Sequence, residues 1–371
     1  MEIGGTGLSD SERISQRMAF LVGAGWRDAA LQEFPGDAST RRYARLTRKG
    51  ESAILMDAPA RAEAPACPPG ASPRERQALG YNAVARLAGA NLTAFTGIAN
   101  ALTARGFSAP RVYAADFGFL LLEDLGDTLY ARAIAAGQDE TPLYESAIDV
   151  LAALYRSSFP ERMRAEGRDW IVSPYDRLAL QAEVDLFLDW YVAHRGEGET
   201  DDAARADWHR VWAEAFRTLD AHPTGLALRD FHAENLLWLP DRDGPARVGL
   251  IDFQDALFAH PAYDLVSLIE DARRDVHPDL AAPLKARFVE KSGLTNVDAF
   301  EAAYAVMGAQ RNAKILGIFV RLARRDKKPK YLDLLPRVAG HFVRDLEHPA
   351  LADVRMWVKA NAPQVFDEAS A

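Results

Sequence analysis

Three apolar runs, Leu226 to Leu228, Leu236 to Leu239 and Arg247 to Ile251, crowd into the middle of the chain, each bracketed by polar residues. Runs this short read as strands, and strands so closely spaced pair with near neighbours and need covering by something larger. The cover is at hand: helical patterning dominates from Thr128 to Leu219, broken at Pro160, Pro174 and Gly196-Glu197-Gly198, and again from Pro261 to Ala362. Upstream, a helix is expected from Ser9 to Gly25. Arg42 to Leu46 and Ser52 to Met56 read as a hairpin, and Arg111 to Ala115 and Phe117 to Glu123 flank a turn at Asp116. Between these pairs, Ala58 to Pro73 is rich in proline and alanine and reads as loop. Helix follows from Pro73 to about Arg105, with interruptions near Gly89 and Gly97. The expected fold is α+β and two-lobed: a small strand-rich N-terminal lobe over 1–125, a hinge at Glu123 to Gly126, and a large, mainly helical C-terminal lobe over 126–371.

A length of 371 residues suits two such lobes better than one small core. The net charge of −9 argues against a nucleic-acid partner, because phosphate backbones are bound through clustered cations. The one basic run, Arg324 to Lys330, reads as a solvated turn. Cys67 is the only cysteine, so an intramolecular disulfide and an all-cysteine zinc site are both excluded. No apolar run reaches membrane-spanning length, and the N-terminus lacks the basic segment and apolar stretch of a secretory signal. A cytoplasmic protein is expected, with no membrane partner and no sign of an obligate protein partner.

The chemistry concentrates in Leu228-Arg229-Asp230-Phe231-His232-Ala233-Glu234-Asn235-Leu236-Leu237 and Val248-Gly249-Leu250-Ile251-Asp252-Phe253. An apolar strand delivers Asp230 into a loop, Asn235 follows five residues on, and a second apolar run ends at Asp252. Two carboxylates and an amide oxygen are thus presented at the ends of neighbouring strands. Mg²⁺ takes oxygen ligands, needs only one or two protein carboxylates and fills the rest of its shell with water and phosphate. The remaining carboxylate is free to orient an acceptor hydroxyl and receive its proton, which completes the inventory for phosphoryl transfer. An isolated Asp–Asn pair would more often cap a turn. The ordered combination carries more.

Arg229-Asp230 with Asn235, then Ile251-Asp252-Phe253, resembles the catalytic loop and metal-binding segment of aminoglycoside phosphotransferases and their protein-kinase-like relatives. Ala262-Tyr263-Asp264-Leu265-Val266-Ser267 is similar to the segment that follows in that family. The resemblance implies ATP as co-substrate, Asp230 as catalytic base, Asn235 and Asp252 as Mg²⁺ ligands and Asp264 as a structural brace. Gly36-Asp37-Ala38-Ser39-Thr40-Arg41-Arg42-Tyr43 resembles the family's phosphate-covering turn, which implies ATP contacts from Ser39, Thr40, Arg41 and Arg42. Leu120-Leu121-Leu122-Glu123-Asp124-Leu125-Gly126 looks like its hinge, with the backbone of Glu123 and Leu125 reading adenine. Two positions depart from the pattern. Met56 stands where the third strand normally supplies a lysine, so either Arg41 or Arg42 takes over that charge or the chain is a nucleotide-binding pseudokinase. Leu228 replaces a histidine common in relatives, at a position that is usually architectural.

From about Arg13 to Leu346 the match is closer to one branch, the anomeric kinases of bacterial cell-wall recycling, which the chain resembles through Gly36 to Tyr43, Ile54 to Pro59, Leu122 to Asp127, Leu228 to Leu239, Asp252 to Ala256 and Asp271 to Val276. That implies phosphorylation of the C1 hydroxyl of N-acetylmuramate and N-acetylglucosamine. A kinase of another small alcohol or of an aminoglycoside is the alternative. Sugars are commonly held by aromatic faces and carboxylates, which makes Asp189 and Trp190 candidates for the acceptor site, with Trp208 or Trp212 behind them. Arg229 is a candidate partner for the lactyl carboxylate of muramate, and His232 for another substrate contact. Glu234 and Asp255 lie near the metal-binding positions without being first choices as ligands.

Overall fold

In the computed structural model, which describes residues 10–35, 41–59, 66–165, 167–196 and 200–371, five strands form an antiparallel N-terminal sheet. They are β1 (Ala30–Glu33), β2 (Arg42–Arg48), β3 (Glu51–Asp57), β4 (Val112–Asp116) and β5 (Phe119–Glu123), in the order β1-β2-β3-β5-β4. Both expected hairpins are present. Arg48 sits opposite Glu51 across Lys49 and Gly50, whose φ values of 46° and 83° give the two-residue turn that matches strand twist. The second turn falls at Phe117 and Gly118, one residue beyond Asp116, again with both φ positive. Edge strand β1 is half polar and only four residues long, and nothing in its sequence marks it out.

Alternation along these strands serves two cores. Ala44, Leu46, Ala53, Leu55, Phe119 and Leu121 pack under the helix Asp10–Gly23, through Phe20 and Leu21, and against Trp26. Met56, Leu120 and Leu122 face the other way and join the main core. The helix Leu92–Thr103 belongs to that core too, with Phe95 stacked on Phe253 at 4.9 Å. The interruption expected near Gly97 does not occur: the helix runs straight through it. The glycine is there for proximity, since a Cβ would lie 3.1 Å from the Met163 carbonyl oxygen of β6 (Arg162–Ala165). The hairpin that β6 forms with β7 (Arg168–Ile171) lies inside a stretch read as helical, because four-residue strands built on arginines imitate helix composition.

The remainder is helical. Glu140–Arg156, Arg177–Leu186 and Asp202–Phe216 pack with Ala281–Ser292, Val297–Arg324, Leu335–Asp345 and Ala352–Asn361. The 28-residue helix Val297–Arg324 runs through their centre. Gly317 lets it touch the chain at Leu186, where a Cβ would come within 2.2 Å of the carbonyl oxygen. Gly317→Ala gains about 1 kcal/mol of helix propensity and loses about 3 kcal/mol to overpacking. Urea unfolding is therefore expected to show a net loss of about 2 kcal/mol, and an unchanged or raised midpoint would contradict this crossing.

Two small ladders sit between sheet and helices. β8 (Gly225–Ala227) pairs with β11 (Leu257–Ala259), and β9 (Leu236–Trp238) pairs with β10 (Val248–Leu250). β8, β9 and β10 are the three apolar runs read from the sequence. β11 was not foreseen, because Leu257-Phe258-Ala259 leads directly into helical patterning. No helix among the described residues is long and apolar enough to cross a membrane.

Candidate active site

The loop between β8 and β9 starts from a brace. Buried Asp264, on the helix Ala262–Ile269, accepts the backbone N–H groups of Leu228 (2.6 Å) and Arg229 (2.9 Å). Burial pushes this carboxyl up to about 7 while the two N–H bonds pull the other way. With its N–H groups held, the chain turns sharply at Arg229, whose φ of 72° is unusual for a residue with a side chain. Asp230 follows, half-buried. Asn235 donates Nδ2–H to the Asp230 carbonyl oxygen at 2.9 Å, which orients its amide and keeps Oδ1 as a free-standing acceptor type. Its own carbonyl oxygen accepts the N–H of Ile251 at 3.2 Å, which brings the end of β10 alongside. Asp252, the next residue, also has a positive φ, 59°. Two left-handed non-glycine residues at one site are backbone strain of the kind that collects where geometry serves chemistry.

The electrostatics tie the two carboxylates together. Asp252 is pushed up to about 6, first by burial and then by the negative charge of Asp230; Gln254 Nε2–H, donated to Oδ1 at 2.8 Å, and Arg41 work against the rise. Burial also acts upward on Asp230, but His232, Lys314, Arg311 and Arg229 outweigh it and hold the carboxyl below its ordinary range. One carboxylate is firmly ionised, and beside it another is under like-charge pressure. Asn235 Oδ1 and Asp252 are hard oxygen donors, brought into neighbouring segments by the Ile251–Asn235 backbone bond, and could hold a divalent cation that relieves this pressure.

Residues 30–300 match the model of the phosphotransferase enzyme family. The chain belongs to that family. It is 46% identical to the N-acetylmuramate/N-acetylglucosamine kinase of Caulobacter vibrioides over 355 residues, covering 95% of this chain and 98% of that protein. The protein of the same name from Pseudomonas aeruginosa is 31% identical over 372 residues, covering 94% and 96%. Among solved structures, the GDP complex of aminoglycoside 2′-phosphotransferase-IIIa superposes with a TM-score of 0.56 at 13% identity, covering 91% of this chain and all of that one. The protein-kinase-like fold expected from the sequence is thereby shown.

The residues expected around ATP have different surroundings in this phosphotransferase. Arg41 reaches the site, with Nη1 3.6 Å from Asp252 Oδ1, Nη2 donating to the Gly89 carbonyl oxygen at 2.8 Å and only 9% of its side chain exposed. Arg42 is exposed, and Ser39 and Thr40 lie outside the described residues. Met56 is fully buried on the face of β3 that joins the main core. In the segment expected as the hinge, the Glu123 N–H is taken by Arg111 O (2.8 Å) and its carboxylate by Arg242 (2.7 Å). Leu125 is buried, and its neighbours Asp124 and Asp127 both grip the Arg45 guanidinium of β2.

Others sit elsewhere. Arg229 is not open to a substrate: 3% exposed, it donates Nη2–H to buried Glu183 and Nη1–H to Ala85 O (2.8 Å). The turn that frees Asp230 sends the preceding side chain inward. Asp189 is paired with Arg205 of the helix Asp202–Phe216 at 2.6 Å, and Trp190 packs against the main core, so neither is brought to Asp230. Trp208 and Trp212 are fully buried in an aromatic cluster. His232 is buried. Its Nε2 stands 3.3 Å from Asn235 Nδ2 and 3.4 Å from Arg273 Nη1, and burial pushes its pKa down to about 4. Glu234 turns out to Arg273 and Asp255 accepts the Ala88 N–H at 2.6 Å.

Sequence reasoning missed the wall and floor of the site. Residues 85–89 form a wall, bonded to Arg229, Asp255 and Arg41 in turn. The floor is the long helix, from which Arg311 and Lys314 act on the Asp230 carboxyl, in a stretch where Gln310, Arg311, Asn312 and Lys314 interrupt an apolar run. That interruption was a readable signal, since polar residues on the buried stripe of a core helix must be answered by a polar network.

Proposed function

We propose that this chain is an ATP- and Mg²⁺-dependent kinase that phosphorylates the anomeric C1 hydroxyl of N-acetylmuramate and N-acetylglucosamine. The observation that carries the reading is the 46% identity, over nearly both full lengths, to a kinase of those two sugars. ATP lies between the N-terminal sheet and the helical part that begins at 126, with the backbone of Glu123 and Leu125 facing adenine and Ser39, Thr40 and Arg41 near the phosphates. Asn235 Oδ1 and Asp252 would hold the metal; the donor set suits Mg²⁺, and the raised pKa of Asp252 beside ionised Asp230 suits a site that takes divalent charge. A divalent ion bound there would supply positive charge to the transferring phosphate.

Asp230, kept ionised by the surrounding cations, accepts a hydrogen bond from the C1 hydroxyl, aims its oxygen at the γ-phosphorus and takes its proton as the new O–P bond forms, while the bond from the γ-phosphorus to the β,γ-bridging oxygen breaks and ADP leaves. An anomeric hydroxyl is more acidic than an ordinary alcohol, so a carboxylate of low pKa suffices. Orientation and charge neutralisation carry most of the rate. The product is a sugar 1-phosphate, the substrate type that nucleotidyltransferases convert to UDP-sugars, and the cytoplasm, where ATP and such sugars meet, is the compartment that suits this reaction.

Arg41 replaces the missing third-strand lysine. Arg41→Ala is expected to raise KM for ATP about tenfold or more, the size of one lost charged hydrogen bond, while Arg42→Ala stays within about twofold. Equal effects of the two would refute the assignment. The function itself is tested by ADP release with Mg²⁺·ATP and each sugar in turn, an aminoglycoside serving as comparison. Turnover of both amino sugars is expected. Turnover of the aminoglycoside alone, or of nothing, would sink the proposal.

A further inference from the structure

Of the two proposed acceptors, muramate differs from glucosamine by a lactyl ether that ends in a carboxylate, and that carboxylate needs a cation near the catalytic loop. Most cations there are already committed. Arg229 is buried on Glu183; Arg311, 4% exposed, has Nη2 on Ser267 Oγ at 2.8 Å and Nη1 without a partner, and burial closes it to an acid arriving from solvent. Lys314, 14% exposed, is held by Glu183 (3.1 Å) and the Tyr263 hydroxyl (3.1 Å), and Arg41 serves Asp252 on the nucleotide side. Arg273 differs from all four. Its Nη1 lies 3.4 Å from His232 Nε2, two residues beyond Asp230, yet 36% of its side chain is exposed.

The backbone beneath Arg273 is fixed, because its N–H is donated to Oδ1 of deeply buried Asp271 at 2.9 Å. Its guanidinium already carries a carboxylate, that of Glu234, with Oε2 3.1 Å from Nε. Glu234 is itself 53% exposed, so the pair is open to solvent and readily exchanged for an incoming acid. A planar guanidinium is the side chain best shaped to take a carboxylate on two parallel N–H groups.

We propose that Arg273 is the specificity-determining residue for the acceptor carboxylate: it exchanges Glu234 for the lactyl carboxylate of muramate and makes no equivalent contact with glucosamine. The inference rests on the proposed function and deepens it. The test compares kcat and KM for both sugars in wild type, Arg273→Gln and Arg273→Lys. For Arg273→Gln, kcat/KM with N-acetylmuramate should fall about ten- to a hundredfold, mostly through KM, while N-acetylglucosamine stays within about threefold. Arg273→Lys, which keeps the charge but not the fork, should retain more muramate activity than Arg273→Gln. The glucosamine rate doubles as the check on folding, and if the glutamine variant does not fold, the lysine variant decides by the same muramate-to-glucosamine ratio. Equal losses with both sugars, or no loss with muramate, would overturn the inference. Wild-type protein that turned over neither sugar would instead overturn the reading beneath it, a result distinct from any change in ratio.

Discussion

Asp230→Asn is expected to lower kcat by about three orders of magnitude while leaving the affinity for Mg²⁺·ATP nearly unchanged. The asparagine keeps the shape of the side chain and the backbone bonds around it: the 2.9 Å bond from Asn235 Nδ2 goes to the main-chain carbonyl of residue 230. What disappears is the acceptor for the hydroxyl proton, a contribution of about 10³-fold. Nucleotide affinity should not suffer, because removing one of two neighbouring negative charges relieves Asp252, which Asp230 helps to push up to about 6. Single-turnover kinetics beside a nucleotide titration separates the two quantities. A variant with near wild-type kcat would mean that another group takes the proton.

Glu183→Ala is expected to cost about 4 kcal/mol of unfolding free energy, the size of a broken buried ion pair. Glu183 is fully buried on the helix Arg177–Leu186. It accepts from Arg229 Nη2 and the Tyr175 hydroxyl, with Lys314 Nζ at 3.1 Å and Gln310 Nε2 at 3.4 Å. Burial acts to raise its pKa, but Lys314 and Arg229 together hold it below the ordinary value. Without the carboxylate, two cations are left in the interior with nothing to offset their desolvation. The catalytic rate should fall as well, since Arg229 at φ 72° is the residue from which Asp230 is launched. Adding Arg229→Met should recover part of the stability, because the second change removes one of the stranded charges. A loss below about 1 kcal/mol in urea unfolding would show that this pair is not the anchor of the loop.

Legibility in the sequence followed the range of the interactions. The two hairpins of the N-terminal sheet and the loop from Asp230 to Asn235 are set by neighbours along the chain, and alternation and turn chemistry expose them. The short strands β1, β6, β7 and β11 exist because the fold offers them partners, and their own four or three residues carry too little pattern to be seen. Gly97 shows the same limit. As a local signal it reads as a break, whereas its cause is Met163, far along the chain.

The candidate site divides along the same line. Asp230, Asn235 and Asp252 come together through one loop and one ladder, so their spacing announces them. The environment of Arg229 is fixed by Glu183, 46 residues earlier, and by Ala85, 144 residues earlier, and a side chain beside the candidate base therefore read as a substrate contact when it is a buried strut. Asp189 and Trp190 misled for a related reason: residues suited to gripping a sugar are equally suited to packing two helices, and here Arg205 and the aromatic core claimed them first. Arg273 was quoted only as part of the matching segment Asp271 to Val276 and given no role, because an arginine in such a run has no assignable contact until His232 is placed against it.

Magnesium, ATP and N-acetylmuramate, incubated with the protein and followed by ³¹P–¹H correlation NMR, test the central chemistry in one spectrum. A phosphorus resonance coupled to the anomeric proton of the sugar is the expected result. Phosphate correlated with the C6 protons, or free phosphate released with no sugar ester formed, would contradict a carboxylate poised over the C1 hydroxyl.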